Sequence, residues 1–317
     1  MDPAPRHHSL AAHLKRRFGA PVRKIPLDAG ADCPNRDGTI GRSGCLFCNP
    51  HGSGSGLLAR GLGLPEQWDH WRARLARHGA DRYLAYLQSF TNTHGPAARL
   101  AAVLDQLRGL PGLAGLCVGT RPDCCEDDKL DLLAAFRDAL PPAPDGAPAP
   151  VILELGLQSA DDAVLARIRR GHDAACFAHA ARRAAARGLE VCAHVVAGLP
   201  GAADRGADLR NSVALLNTLP VAHVKFHNCY VCEGSGLAAE WRAGRYAPPA
   251  LPDYAAWLAE ALADLRPGVV VHRLVADPAP GELLAPDWAG RKAEALAAVR
   301  RELETRRLWQ GCRAFRP

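Results

Sequence analysis

Three cysteines lie within a short segment that lacks helical or strand periodicity. They are Cys33, Cys45 and Cys48 in CPNRDGTIGRSGCLFC, where glycines and a proline indicate a loop. Cys45 and Cys48 form a close pair, and Cys33 lies 12 residues before Cys45. A structural zinc site has four ligands, so a zinc site here would need a fourth ligand, for which His51 is a candidate. Three cysteines also suit a [4Fe–4S] cluster that keeps one iron open for a substrate or cofactor. The spacing alone does not choose between zinc and iron–sulfur.

Composition restricts the class of protein. The chain has 317 residues, of which 48% are hydrophobic, enough for one large α/β domain with a substantial core. Its 11 cysteines are odd in number and too sparse for a disulfide scaffold, so we expect reduced thiols and a cytoplasmic location. The first 24 residues contain basic residues but no apolar h-region, and no run of about 18 apolar residues occurs, so we expect neither a signal peptide nor a membrane span. The net charge of +6 permits nucleic-acid binding but does not indicate it.

Short apolar runs alternate with amphipathic stretches after residue 20. The predicted strands cover 22–28, 82–89, 114–120, 151–158, 191–198 and 221–231. Six β–α units in series predict an α/β fold, an open partial (β/α)6 TIM-type barrel with a parallel sheet. A further strand at 269–276 and a long helix from about Asp287 to Leu308 form a C-terminal extension. We expect one domain over 1–317, made of an N-terminal arm (1–20), a cysteine loop (29–50), the barrel (21–231) and the extension (232–317).

Side-chain alternation predicts which residues point into this barrel. In VILELGLQ the odd-numbered positions from Val151 to Leu157 are all apolar and should face the outer helices, which leaves Glu154 and Gln158 inside. The same argument turns Lys225 and His227 of the sixth strand inward. Parallel barrels place their sites at the C-terminal ends of the strands. The cysteine loop follows the first strand, so it should lie at the same mouth.

Several segments together resemble the radical S-adenosylmethionine (SAM) superfamily, in a branch of uncharacterised, Elongator-related proteins similar to bacterial YhcC. That branch has the long C-x11-C-x2-C spacing found here. The resembling segments are KIPLDAGADCPNRDGTIGRSGCLFCN, YLAYLQSFTNTHGP, GLCVGTRPDC, LELGLQSADDAVLARIRRGHD, VCAHVVAGLPG and VKFHNCYVCEGSGLA. They occur in the family's order over roughly residues 10–310.

The resemblance implies both cofactors and an activity. Cys33, Cys45 and Cys48 would hold a [4Fe–4S] cluster whose open iron binds SAM. One electron, from a donor such as flavodoxin or ferredoxin, would cleave SAM to methionine and a 5′-deoxyadenosyl radical that takes hydrogen from the substrate. The substrate is a small molecule or a tRNA base, and the sequence does not choose between them.

The resemblance also implies residue roles. Arg170 falls where relatives place an arginine on the SAM carboxylate, and Ser159 lies near the SAM ribose position. The predicted cofactor-binding residues are Gln88, Thr91, Asn92, Thr93, Thr120, Glu154, Gln158, Ser159, Arg170, His194 and Gly198. The sixth strand is left for the substrate, with Lys225 and His227 as candidate catalytic residues.

Alternatives remain open for the protein and for single residues. The rival protein class is a zinc-dependent RNA-binding protein that uses the three loop cysteines and His51. Arg170 could instead lie on a solvated helix face, and Lys225 could form a structural ion pair with Glu154. Four further cysteines near the mouth could hold an auxiliary cluster or be free thiols: Cys124, Cys125, Cys229 and Cys232.

Overall fold

The computed structural model describes residues 6–49, 52, 56–88 and 90–314. Its strands are β1 (Val22–Leu27), β2 (Arg82–Leu87), β3 (Leu113–Thr120), β4 (Val151–Gln158), β5 (Glu190–Ala197), β6 (His223–Asn228), β7 (Val231–Cys232), β8 (Val270–Arg273) and β9 (Leu283–Ala285). Seven of them form one parallel sheet in the order β1-β2-β3-β4-β5-β6-β8. This sheet curves into a half-barrel with helical cover, which confirms the predicted open TIM-type fold.

Helices connect the strands and cover the sheet. They are α1 (Leu10–Phe18), α2 (Leu64–Leu75), α3 (Ala97–Leu107), α4 (Asp127–Asp138), α5 (Asp162–Arg167), α6 (Ala174–Ala186), α7 (Arg205–Asn217), α8 (Gly236–Arg242), α9 (Leu251–Asp264) and α10 (Lys292–Thr305). Asp161, Asp173 and Asp204 begin three of them by accepting hydrogen bonds from backbone N–H groups of the first turn. Among the described residues, none of the helices combines the length and apolar character needed to span a bilayer.

The predicted strands are confirmed, with one change at the sixth. That strand ends at Asn228, because Val231 and Cys232 leave the parallel sheet and pair antiparallel with β9. The predicted C-terminal strand is β8, and it adds to the same sheet by pairing in parallel with β6. The predicted long C-terminal helix is α10, preceded by a short 3-10 turn at Asp287–Gly290.

The two faces of the sheet pack differently. Val151, Leu153, Leu155 and Leu157 belong to the large outer hydrophobic cluster, as their alternation predicted. Inside the half-barrel, a smaller cluster at the N-terminal end contains Leu14 and Phe18 of α1 together with inward residues of the sheet. The N-terminal arm is tied to β8 by a hydrogen bond of 2.7 Å from the Val271 N–H to the His8 carbonyl. Helix α1 therefore packs against the lower interior of the half-barrel, and the polar interior lies above it.

Candidate active site

The cysteine loop runs from the end of β1 toward α2 and is held by backbone hydrogen bonds. The Cys33 carbonyl accepts from two following N–H groups, those of Arg36 (2.7 Å) and Asp37 (3.1 Å). The Leu46 N–H donates to the carbonyl of Ile168 (2.9 Å), which follows α5, and the Leu46 carbonyl accepts from Leu237 of α8 (2.7 Å). These bonds place the loop against the segment after β4, at the C-terminal mouth.

Polar and cationic side chains surround the loop thiols. The Sγ atom of Cys45 lies 3.3 Å from Asn35 Nδ2 and 3.6 Å from Arg170 Nη1. Burial raises the pKa of the Cys48 thiol, while a hydrogen bond and the charge of Arg36 oppose that rise. Arg121, only 2% exposed, also lies within electrostatic reach of Cys33 and Cys45. Cations beside thiols favour the thiolate, the form that binds metals.

The three loop sulfurs do not all lie within 4.8 Å of one another in the described structure. Thiolates on a single zinc lie about 2.3 Å from the metal, hence within about 4.6 Å of one another. In the part of the chain that the structure describes, Glu154, Cys192 and His272 are the one set of three potential ligands with donor atoms within 4.8 Å. A four-iron cluster instead binds each thiolate through a different iron and suits a wider set. His51, the candidate fourth zinc ligand, lies outside the described residues.

Arg170 lies in the connection between α5 and α6 and is 7% exposed. Besides the contact with Cys45, its Nη2 atom donates to the Gly156 carbonyl at 2.9 Å. A Cβ atom at Gly156 would lie 2.3 Å from Arg170 Nη2 and 2.4 Å from Gln158 Nε2, so glycine leaves the room that both side chains occupy. Arg170 is therefore not on a solvated helix face, the alternative that its arginine-rich surroundings had left open.

The polar residues after β2 connect that strand to β3 and to the cysteine loop. The Thr91 N–H donates to the carbonyl of Asp32, next to Cys33, at 3.1 Å. The Asn92 amide donates to two backbone carbonyls, at the ends of β2 and β3 (3.1 and 3.0 Å). Thr93 and Thr120 share a hydroxyl–hydroxyl hydrogen bond. Gln88 is half-buried beside them.

The remaining predicted cofactor-binding residues end β4 and β5. The Ser159 hydroxyl donates to Asp208, a carboxyl whose pKa burial raises to about 6. The His194 Nε2 atom lies 2.9 Å from a carboxylate oxygen of Glu154. Gly198 has a left-handed φ of 89°, and its carbonyl accepts from the Tyr246 hydroxyl at 2.9 Å. Ser159 therefore contacts α7, whereas His194 belongs to the barrel interior.

A buried ion cluster occupies that interior. The Glu154 side chain is fully buried and accepts hydrogen bonds from Lys24 Nζ, at 2.6 Å, and from Lys225 Nζ. Lys225 Nζ also donates to the Tyr86 hydroxyl at 2.8 Å and lies 4.2 Å from the centre of that ring. Burial raises the pKa of Glu154, but the charges of Lys225 and Lys24 outweigh it and hold that pKa well below its ordinary value. The ion pair considered from the sequence, Lys225 with Glu154, is present.

His227 lies above this cluster toward the mouth. Its ring centroid is 5.3 Å from that of His194, and its buried Nε2 atom has no hydrogen-bond partner among the described residues. Burial first, and then the charge of Arg273, holds the pKa of His227 well below its ordinary value. The imidazole is therefore neutral at physiological pH.

Several residues of the site were not among the predicted ones. Alternation along VRKIPLD and RYLAYLQ would have turned Lys24 and Tyr86 inward in the same way as Glu154. Arg121 directly follows β3, a position that also faces the mouth. His272 and Arg273 lie on β8, which was predicted as an extension rather than as a wall of the site.

The four further cysteines have separate surroundings. Cys125 Sγ donates to the Arg121 carbonyl at 3.3 Å, and Cys232 Sγ to the Phe47 carbonyl at 3.7 Å. Cys229 lies in a hydrophobic cluster with Leu46. Burial raises the pKa of the Cys124 and Cys229 thiols to about 12, which keeps them protonated. These environments favour free thiols over an auxiliary cluster.

Comparison with known proteins agrees with this architecture. A family model described as the Radical SAM superfamily matches residues 36–211, and one described as the Radical_SAM C-terminal domain matches residues 221–305. Protein YhcC of Escherichia coli (strain K12) is 39% identical over 290 residues, which cover 92% of this chain and 90% of that protein.

Two more distant proteins are also similar. A tRNA uridine(34) acetyltransferase of Dehalococcoides mccartyi is 29% identical over 203 residues, 64% of this chain and 40% of that protein. The structure of Elp3 from the archaeon Methanocaldococcus infernus, lacking its N-terminus, superimposes with a TM-score of 0.68 at 17% identity. The match covers 91% of this chain and 64% of that one, and it supports the fold alone. By its family match and its similarity to YhcC, the chain belongs to the radical SAM superfamily and is an enzyme of that superfamily.

Proposed function

We propose that Cys33, Cys45 and Cys48 bind a [4Fe–4S] cluster beside which SAM binds, and that the enzyme cleaves SAM reductively to act on a substrate not yet identified. The observation that carries this proposal is the setting of Cys45 at the barrel mouth, with Asn35 and Arg170 in contact with its sulfur. The three sulfurs do not all lie within 4.8 Å of one another in the described structure, which suits a multi-iron cluster better than one ion.

The residues around the cluster position have separable roles. A cluster held by Cys33, Cys45 and Cys48 would supply the electron for reductive cleavage of SAM, and the resulting radical chemistry would act on the substrate. Arg36 opposes the rise that burial causes in the pKa of Cys48, and Arg121 adds positive charge near Cys33 and Cys45. Arg170 has a planar guanidinium that can pair with the SAM carboxylate in two hydrogen bonds. Its Nε atom is buried with no hydrogen-bond partner among the described residues, which leaves one donor for such a ligand.

The substrate should approach from the side of β6 and β8. The inferred cofactor contacts come from β2 to β5, whereas Lys225 and His227 face the interior from β6. A tRNA base is one candidate substrate, supported by the partial similarity to a tRNA uridine(34) acetyltransferase. A small molecule is the other candidate. A one-electron donor such as flavodoxin or ferredoxin would be the protein partner.

Anaerobic purification and reconstitution test the proposed function. We expect a brown protein with about four iron atoms per chain. After reduction it should release 5′-deoxyadenosine from SAM even without substrate. A colourless protein that retains zinc and binds RNA would support the alternative, a zinc-dependent RNA-binding protein.

Arg170→Ala should weaken SAM binding by roughly 10- to 150-fold, because it removes a charge-assisted contact of about 1.5–3 kcal/mol. The iron content should stay at the wild-type level, since no proposed ligand is lost. Isothermal titration of SAM into the reconstituted protein measures the affinity.

Arg169→Ala is the matched control for this variant. Arg169 is the neighbouring arginine, but its side chain is exposed and its Nη1 atom lies 3.5 Å from Ser43 Oγ. It should bind SAM as tightly as the wild type. Equal SAM affinity in Arg170→Ala and Arg169→Ala would remove Arg170 from the SAM site.

A further inference from the structure

The buried ion cluster has more positive than negative charge. Glu154 is one carboxylate between two ammonium groups, Lys24 and Lys225. Five further titratable groups that face it are neutral at physiological pH: burial keeps Tyr86, Cys117 and Cys192 protonated and keeps His194 and His272 unprotonated. The cluster therefore carries a net charge of about +1, and buried charge without a partner is costly.

Further donors lie beside this charge toward the mouth. Lys225 of β6 pairs in register with Arg273 of β8, so the two residues are neighbours across the strands. Arg273 Nη2 lies 3.4 Å from a carboxylate oxygen of Asp277, and a third of the Arg273 side chain is exposed. His227 lies two residues beyond Lys225 on the same face, with its buried Nε2 unpartnered among the described residues. An ammonium, a guanidinium and an imidazole thus lie near one another on β6 and β8.

A cavity lies beside β8, the strand that pairs with β6. It has a volume of about 710 Å³ and lies between the N-terminal arm, the edge strand β8 and α10. His272 and Arg273 line it. Its lining also contains four other basic residues and, among the described residues, one acidic residue, Glu304; the basic residues are Arg6, His7, Lys292 and Arg300. The volume is within the range of small-molecule sites. The positive charge of the cavity lining favours an anionic ligand.

We propose that the substrate carries an anionic group, a phosphate or a carboxylate, which binds among Lys225, His227 and Arg273 after entering along this cavity. The inference rests on the proposed function, because it assigns the β6–β8 side to the substrate. An oxyanion there would neutralise the excess charge of the buried cluster, pair with the Arg273 guanidinium and accept a hydrogen bond from His227 Nε2. The carboxylate of SAM is a separate anion, which the proposed function places at Arg170.

Thermal unfolding with small anions tests the inference on the full-length, cluster-reconstituted protein. The probes are inorganic phosphate and acetate, each compared with chloride at equal ionic strength, with SAM at saturation to occupy the Arg170 position. We expect phosphate or acetate to raise the wild-type Tm by about 2–4 °C at roughly ten times its Kd. The shift should be lost in Arg273→Gln and His227→Gln. Lys225 is left unchanged, because its removal would also disturb Glu154.

The control variant is Arg210→Gln, an exposed arginine on α7, and it should keep the full anion-dependent shift. A shift with phosphate alone would identify a phosphate group, and a shift with acetate alone a carboxylate. The inference is overturned if neither anion raises the Tm above chloride, or if Arg273→Gln and His227→Gln keep the shift. Iron content and release of 5′-deoxyadenosine, measured on the same preparation, test the proposed function separately.

Discussion

Replacing Cys33, Cys45 and Cys48 together with alanine should lower bound iron from about four atoms per chain to nearly none and abolish SAM cleavage. The melting temperature should change by only a few degrees. The loop is held by backbone hydrogen bonds of Leu46 to Ile168 and Leu237, which the substitutions leave intact. The large hydrophobic cluster lies on the other face of the sheet.

Iron and labile sulfide are counted after anaerobic reconstitution, and Tm is measured by calorimetry. Cys176→Ala is the matched control, since Cys176 is a half-buried cysteine on α6 and is not one of the proposed ligands. It should keep full iron and full SAM cleavage. Retention of about four irons in the triple variant would show that other residues hold the cluster. The cysteines at 124, 125, 229 and 232 would then be the first to replace.

Glu154→Gln should be the most destabilising single substitution inside the barrel, by about 3–5 kcal/mol. Glutamine keeps the shape of the side chain but removes its charge, so Lys24 and Lys225 remain buried with no carboxylate between them. A loss of that size would lower the Tm by roughly 5–10 °C. Glu66→Gln, at an exposed position in the first turn of α2, should leave the Tm within about 1 °C of wild type.

The difference in unfolding free energy between the wild type and Glu154→Gln should depend on pH. The folded pKa of Glu154 is below the ordinary value of 4.5, so its stabilising effect is complete above about pH 4.5 and declines as the pH falls below it. The wild type and Glu154→Gln should therefore differ most near neutral pH and converge in acid. Equal unfolding free energies for the two proteins at pH 7 would contradict the ion cluster.

The net charge of the buried ion cluster also predicts how a second variant, Lys225→Met, compares in stability with Glu154→Gln. Lys225→Met leaves Lys24 paired with Glu154 and removes the excess charge, so it should destabilise the fold less than Glu154→Gln. In the double variant the two effects should not add, because both residues belong to one hydrogen-bonded network. Lys225→Met should still bind iron and release 5′-deoxyadenosine. Loss of iron in Lys225→Met would instead assign this lysine to the cluster side of the barrel.

Sequence pattern predicted the elements and the cluster loop because both depend on local features. Apolar runs of strand length, separated by amphipathic helices, are visible in any window of the chain, and all seven strands of the sheet were found within a few residues. The end of β6 was less predictable. Val231 and Cys232 look like its continuation, but they pair with β9, a partner more than 50 residues away.

By itself, the sequence determined the order of the first six strands of the half-barrel, the inward direction of Glu154 and Lys225, and the three cysteines with their spacing. Only the tertiary structure decided which distant groups meet: Arg170 and Cys45 across 125 residues, and Lys24 and Glu154 across 130. The physical reason is that alternation assigns a side chain to a face. The position of that side chain along the barrel axis depends on the strand register. Its contact partners depend on the length of the neighbouring side chains. Register and reach bring the ammonium groups of Lys24 and Lys225 to the carboxylate of Glu154. They also leave the Nε2 atom of His227 without a hydrogen-bond partner among the described residues.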